Sequence, residues 1–315
     1  MTRAERPSQP SWIAAAIAAG ERYHVRHKSP LRHNARNLGA LAGLLIALLG
    51  TLAAGAVTPL VLYVFVAGPI VGALLFALYI LVIHEASHGM FVISRSRQRA
   101  RRWNRALGWA VSLLFATDYD RHWRKGHVTH HQRPLAADDP QQENLETGAA
   151  LRAVVARMLL IPGYVFLWNP SRRYPSRRWL PLVTVGLWLP LALVAGVAVT
   201  WAIPIALLLG FQVLGALNQC KGALEHGGAV GRDENPLLRS RTSLFPLRRV
   251  LMPFNISMHF EHHLNPGVPW YELPRYHAAL RGIIPRPLQP AIFNTQLREQ
   301  LAGRLGRIAP IEQRV

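Results

Sequence analysis

Four apolar runs, at roughly 38–57, 59–83, 179–200 and 202–221, constrain this chain more than any other feature. Each is long enough to cross a hydrocarbon layer as a helix, which takes about 20 mostly apolar residues. They predict an all-α integral membrane protein with four transmembrane helices. The runs fall into two pairs, each joined by a turn without Lys or Arg, around Thr58-Pro59 and around Trp201-Pro204. The other connections are basic, including SRSRQRARRWNR at 94–105 and SRRYPSRR at 171–178. By the positive-inside rule, the pairs are hairpins whose short turns face away from the cytoplasm, with both termini and the 84–178 loop on the cytoplasmic side. A cytoplasmic, or inner, membrane is the expected location.

Within that topology the net charge of +20, in a chain whose residues are 50% hydrophobic, reads as an orientation signal rather than as a nucleic-acid footprint. No nucleic-acid partner is expected. The N-terminal ten residues lack an apolar stretch behind their charges, which argues against a cleaved signal peptide. Residues 11–20 and 150–168 read as helices lying in the interface, and 108–116 is too short to cross. The expected organisation is an N-terminal segment at 1–37, a membrane domain at 38–280 and a C-terminal tail at 281–315. The single cysteine, Cys220, excludes an internal disulfide, a four-cysteine zinc site and a cysteine-ligated iron–sulfur cluster.

Chemistry is concentrated in three short histidine clusters: HEASH (His84, His88), HVTHH (His127, His130, His131) and HFEHH (His259, His262, His263). Residues spaced i, i+3 and i+4 share a helix face. Each cluster therefore presents its imidazoles together, and the topology brings all three to the cytoplasmic ends of the spans as a helical cap. So many imidazoles without a metal would leave many buried polar atoms in search of partners. Eight ligands exceed the four of zinc or the six of an octahedral iron, so two metals are implied; imidazole does not distinguish iron from zinc, copper or nickel. Taken alone, HEASH also satisfies H-E-x-x-H, the pattern of a membrane zinc protease with Glu85 as base. That reading leaves most of the histidines unused.

The three boxes on a four-span scaffold resemble the membrane fatty acid desaturase superfamily, which includes hydroxylases and carotenoid ketolases. The similarity extends to HWRKGHVTHHQRPLAADDP around the second box and PFNISMHFEHHLNPGVPWYELPRYH around the third, covering roughly residues 40–280. The resemblance implies a centre of two iron ions (Fe2+/Fe3+) that uses O2 as co-substrate. It removes hydrogen from an unactivated C–H bond, most commonly to desaturate an acyl lipid. It also implies a ninth ligand near the end of the fourth span, where ALEHGG supplies His226. Glu85, Asp138, Asp139, Glu225 and Glu261 lie beside these histidines and are candidates to accept the outer N–H of a ligand ring. Asn255 is a candidate for a water-mediated contact. His122 matches no box position, and His24, His27, His33 and His277 read as surface residues. With no cysteine cluster, fused haem module or G-x-G-x-x-G fingerprint recognisable, electrons must come from an external donor such as a ferredoxin, docked on basic loops.

Overall fold

The computed structural model describes residues 11–139, 147–167 and 177–305. The expectations for the first ten residues, for most of SRRYPSRR and for the end of the C-terminal tail lie outside the described residues. The described chain is mostly helical. Its only strands among the described residues are a two-residue parallel pair, β1 (Thr242–Ser243) with β2 (Phe293–Asn294).

Helix α1 (Ser11–Glu21) is followed by α2 (Pro30–Ala53) and α3 (Leu60–Leu78). The third helix does not stop with its apolar run. It continues through a π-helical stretch, Tyr79–His84, and a last turn, Glu85–Ser87. Helix α4 (Arg97–Ser112) leads to a second π-helical stretch, Tyr119–His127, which runs into α5 (Val128–Gln132). Then come α6 (Gly148–Leu160), α7 (Leu180–Ala198), α8 (Ala202–His226), α9 (His259–Leu264) and α10 (Leu273–Ile283).

Four helical stretches are long and apolar enough to cross a membrane: Pro30–Ala56, Leu60–Ser87, Leu180–Ala198 and Ala202–His226. This is consistent with an all-α membrane protein. The second and fourth continue past the ends expected from hydropathy, because their final turns are built from histidine and glutamate packed against protein. The second and fourth are 67% and 50% buried over their most apolar windows, whereas the first and third are only 6% and 17% buried. The inner pair, α3 and α8, therefore carries the packing, and the outer pair presents its apolar side chains outward.

Close approach within the inner pair depends on glycine. A Cβ on Gly72 would lie 2.8 Å from the Gly210 carbonyl oxygen and 2.6 Å from Val213. Small residues at such crossings let two backbones pack by dispersion where lipid removes the hydrophobic drive. Helix α6 docks along α8, burying Leu151, Val154 and Met158. Helix α1, expected as an interfacial helix, packs on α10. Its Ile13 and Ala16 are fully buried, and the Tyr276 hydroxyl donates to the Ala16 carbonyl at 2.7 Å.

Candidate metal centre

The histidine boxes sit where helices end. His84 closes the π-helical stretch of the second apolar helix and His88 follows one turn later. His127 closes the other π-helical stretch, with His130 and His131 on α5. His226 is the last residue of α8, and α9 carries His259, His262 and His263. A π-helical turn adds a residue to the helical repeat, shifting which side chains share a face. Both stretches deliver their final histidine into the same interior.

The nine histidines converge into two groups. His84, His88, His127, His131 and His262 form one; His130, His226, His259 and His263 form the other. Within each group one nitrogen from each ring lies within 4.8 Å of those of the others. Ligands about 2.1 Å from a metal sit up to about 4.2 Å apart, so both groups come within a few tenths of an ångström of a coordination shell and would close slightly around an ion.

Nε2 atoms face inward. His84 and His262 approach to 3.0 Å, His88 and His127 to 3.0 Å, His127 and His131 to 3.2 Å. In the second group His226 lies 3.1 Å from His130 and 2.8 Å from His259. Burial holds the rings of His127, His131, His259, His262 and His263 neutral well below the ordinary histidine range, and pushes His88 down to about 3. Neighbouring rings lower them further.

Tautomers can be assigned in the second group from partners that only accept. His130 donates from Nδ1 to Asp139 at 2.7 Å, and His226 donates from Nδ1 to the Arg239 carbonyl at 2.7 Å. With a single proton on each ring, held at Nδ1, both Nε2 atoms carry a lone pair, and those lone pairs face each other. Two buried lone pairs at that distance repel unless a cation stands between them. His263 has neither ring nitrogen hydrogen-bonded, and the Nδ1 atoms of His127 and His131 also lack a partner. This donor set fits two metal ions far better than it fits an apolar or hydrogen-bonded core.

The neighbouring carboxylates separate into those that face the histidines and those that do not. Asp139, fully buried, also accepts from the Leu135 N–H at 2.6 Å, so its aim at His130 is fixed. Glu85 lies 3.2 Å from His84 Nδ1. Glu225 lies 3.2 Å from His259 Nδ1, at ion-pair distance but unaligned for a hydrogen bond, while its other oxygen accepts from Lys221 at 2.5 Å.

Glu261, expected beside a ligand, instead turns to His277 Nδ1 at 2.5 Å and to the Thr242 hydroxyl. On a short helix three box histidines already take the inward positions, which leaves Glu261 the opposite side. Asp138 is half-exposed and pairs with Arg133. Asn255 holds the turn before the third box. It and Phe254 adopt φ of 57° and 56°, and its amide donates to the Trp270 carbonyl at 3.0 Å. Asparagine tolerates that left-handed geometry better than most residues.

One histidine read as a surface residue is interior, and a second is partly covered. His33 is 1% exposed, between the Tyr271 hydroxyl at 2.8 Å and the Met90 carbonyl at 2.5 Å. Asn37 adds a bond to the Phe91 carbonyl at 2.9 Å and accepts from Trp270 Nε1 at 2.9 Å. Together they tie α2 to the loop behind the first box and to the segment behind the third. His277, partly buried, is the partner of Glu261, whereas His27 is exposed and His24 caps a turn by accepting from the Arg26 N–H. His122 packs on Trp123, whose ring meets those of His84 and His127.

Lys221 and Arg239 were not among the sequence candidates. Lys221 had a signal: a lone charge within an apolar span rarely lacks a buried partner. Arg239 had none, since its carbonyl serves His226 while its guanidinium ties Asp233 and Pro134 together through their carbonyls.

A comparison with protein families matches residues 59–293 to Fatty acid desaturase. No curated protein matches the chain. The matched region holds all nine histidines and covers well over half of the sequence. This chain belongs to the fatty acid desaturase family.

Proposed function

We propose that the chain is a membrane-bound non-haem di-iron oxidoreductase that desaturates a fatty acyl chain or lipid. The observation that carries this reading is the gathering of nine histidines from distant segments into two shells of coordination size, within a chain of this family. We assign His84, His88, His127, His131 and His262 to one iron and His130, His226, His259 and His263 to the other. Two irons held there supply the O2-dependent chemistry that removes hydrogen from an unactivated C–H bond.

The chain's own residues prepare that site. Neutral imidazoles turn their lone pairs inward, while Asp139, Glu225 and Glu85 stand on the outer side of their rings and favour Nδ1–H tautomers. Lys221 holds Glu225 in place. The apolar outer faces of α2 and α7 suit a substrate that arrives from the bilayer. In the orientation we infer, the four spans form two hairpins and the histidines lie at the cytoplasmic side with both termini, in an inner membrane. Basic loops there suit an acidic donor such as a ferredoxin. We keep a membrane domain at 38–280 between an N-terminal segment and a C-terminal tail; the pairing of β2 with β1 and the family match to residue 293 support carrying its end slightly further.

Hydroxylation or ketolation of a lipid or carotenoid would use the same scaffold. The zinc-protease reading is disfavoured by geometry: Glu85 stands at the Nδ1 side of His84, away from the inward Nε2, and not where a base for a metal-bound water would stand. Expression in a bacterial host, with and without a co-expressed ferredoxin system, followed by lipid and carotenoid profiling tests the proposal. A new acyl double bond is expected. A new hydroxyl or ketone would move the assignment to those branches, and cleavage of a membrane protein with unchanged lipids would overturn it.

A further inference from the structure

The loop behind the first histidine box forms one wall of a groove that the metal chemistry does not use. The groove has a volume of about 530 Å3 and lies between the start of α2 (Leu31, Asn34) and the segment from Val92 to Trp103. Its walls are fixed. Asn34 accepts from the Ile93 N–H at 2.9 Å and donates to the Ile93 carbonyl at 2.9 Å. Asn104 does the same for Val92, accepting at 3.1 Å and donating at 2.6 Å.

Charge and apolar surface meet at this groove in an unusual way. Arg95, Arg97, Arg99, Arg101 and Arg102 are all exposed, and among the described residues none has a carboxylate partner. Arg105, one turn on, does pair with Asp120 at 2.7 Å. Arg95 and Arg99 line the groove itself, beside Trp103 at 54% exposed and Leu31 at 81%. Leu31 begins the outermost apolar helix, whose exposed Leu38, Leu45 and Ile46 continue away from the groove along the outer face.

We propose that this groove binds the headgroup of an anionic phospholipid, such as phosphatidylglycerol, from the leaflet on the histidine side. Arg95 and Arg99 offer planar donors to the phosphate. Trp103, on the groove's wall, supplies the kind of amphipathic ring that is favoured at headgroup depth. The acyl chains follow the apolar face that begins at Leu31. Two groove-lining guanidinium groups without a carboxylate partner among the described residues, with Arg102 next to Trp103 and with tryptophan and leucine at the edge, fit a charged lipid better than a soluble anion, which would have no use for the apolar edge. Because residues 89–93 connect the groove to His88, an occupied groove also braces the first box. The inference rests on reading the four apolar helices as membrane spans and is independent of metal content.

The test uses the full chain purified from the membrane fraction; absence from that fraction would fail the membrane reading itself. Short-chain phosphatidylglycerol, short-chain phosphatidylcholine and inorganic phosphate are titrated separately while thermal stability is recorded. Phosphatidylglycerol is expected to raise the melting temperature saturably, with little effect from the other two. Each surface arginine contributes about fivefold to anionic-lipid affinity, so R95Q/R99Q should weaken the apparent affinity by at least roughly tenfold. R281Q/R286Q, which removes the same charge from another exposed site, should leave it unchanged. W103A should weaken binding without changing its preference for the anionic lipid. An equal loss in both double variants would reduce the effect to bulk charge and overturn the site. So would an equal response to phosphate, or no response to phosphatidylglycerol.

Discussion

The two histidine groups differ in how they are held. The four-histidine group is wholly buried, and three of its rings have an outer neighbour: Asp139 for His130, the Arg239 carbonyl for His226 and Glu225 for His259. The five-histidine group has one more ring, but His88 and His131 are only partly buried, and the Nδ1 atoms of His127 and His131 have no partner. One group is fixed by its surroundings, the other by number. Outer partners of ligand rings typically change metal affinity 10–100-fold, so the four-histidine group should depend on residues that never touch metal. The five-histidine group should depend mainly on its own rings.

The largest effects should come from the rings. His262→Ala and His263→Ala should each abolish lipid modification and each remove one metal from a different group, read by elemental analysis; equal loss of both metals in each would mean that the groups do not load separately. Next, Asp139→Asn should weaken metal retention about 10–100-fold at the four-histidine group alone, measured by competition with a chelator. A loss spread evenly over both groups would erase the contrast. Lys221→Met acts one contact further out, through Glu225, and should cost roughly tenfold or less at the same group, with Lys221→Arg restoring much of it. The smallest effect on metal is expected from Glu261→Gln. Its carboxylate serves His277 and Thr242, so metal content should hold while stability falls by about 1–3 kcal/mol in a denaturant series.

Much of the site is legible in the sequence because the boxes obey helical spacing. His259, His262 and His263 must share a face wherever their helix goes, and the apolar runs determine which end of the bundle that is. Partners drawn from other segments follow no such rule. Nothing local says that Glu261 turns toward His277, sixteen residues later, or that His33 meets Tyr271 across the molecule. Hydropathy also stops the second span at Ile83, although the helix runs on through Ser87, because its last turns are polar yet buried. The π-helical turns ending at His84 and His127 are invisible to a pattern read at 3.6 residues per turn. The carboxylates show both outcomes. Asp139 is aimed by its own loop, through the Leu135 N–H, whereas adjacent Asp138 points outward to Arg133.

The central claim is that one chain holds two irons in two unequal histidine shells. Iron quantification with Mössbauer spectroscopy on the purified full-length protein, loaded with 57Fe, tests it most directly. The account predicts two irons per chain in two distinguishable environments, with Asp139→Asn altering only one of them. A single metal per chain, or zinc retained in place of iron with no loss of activity, would contradict it.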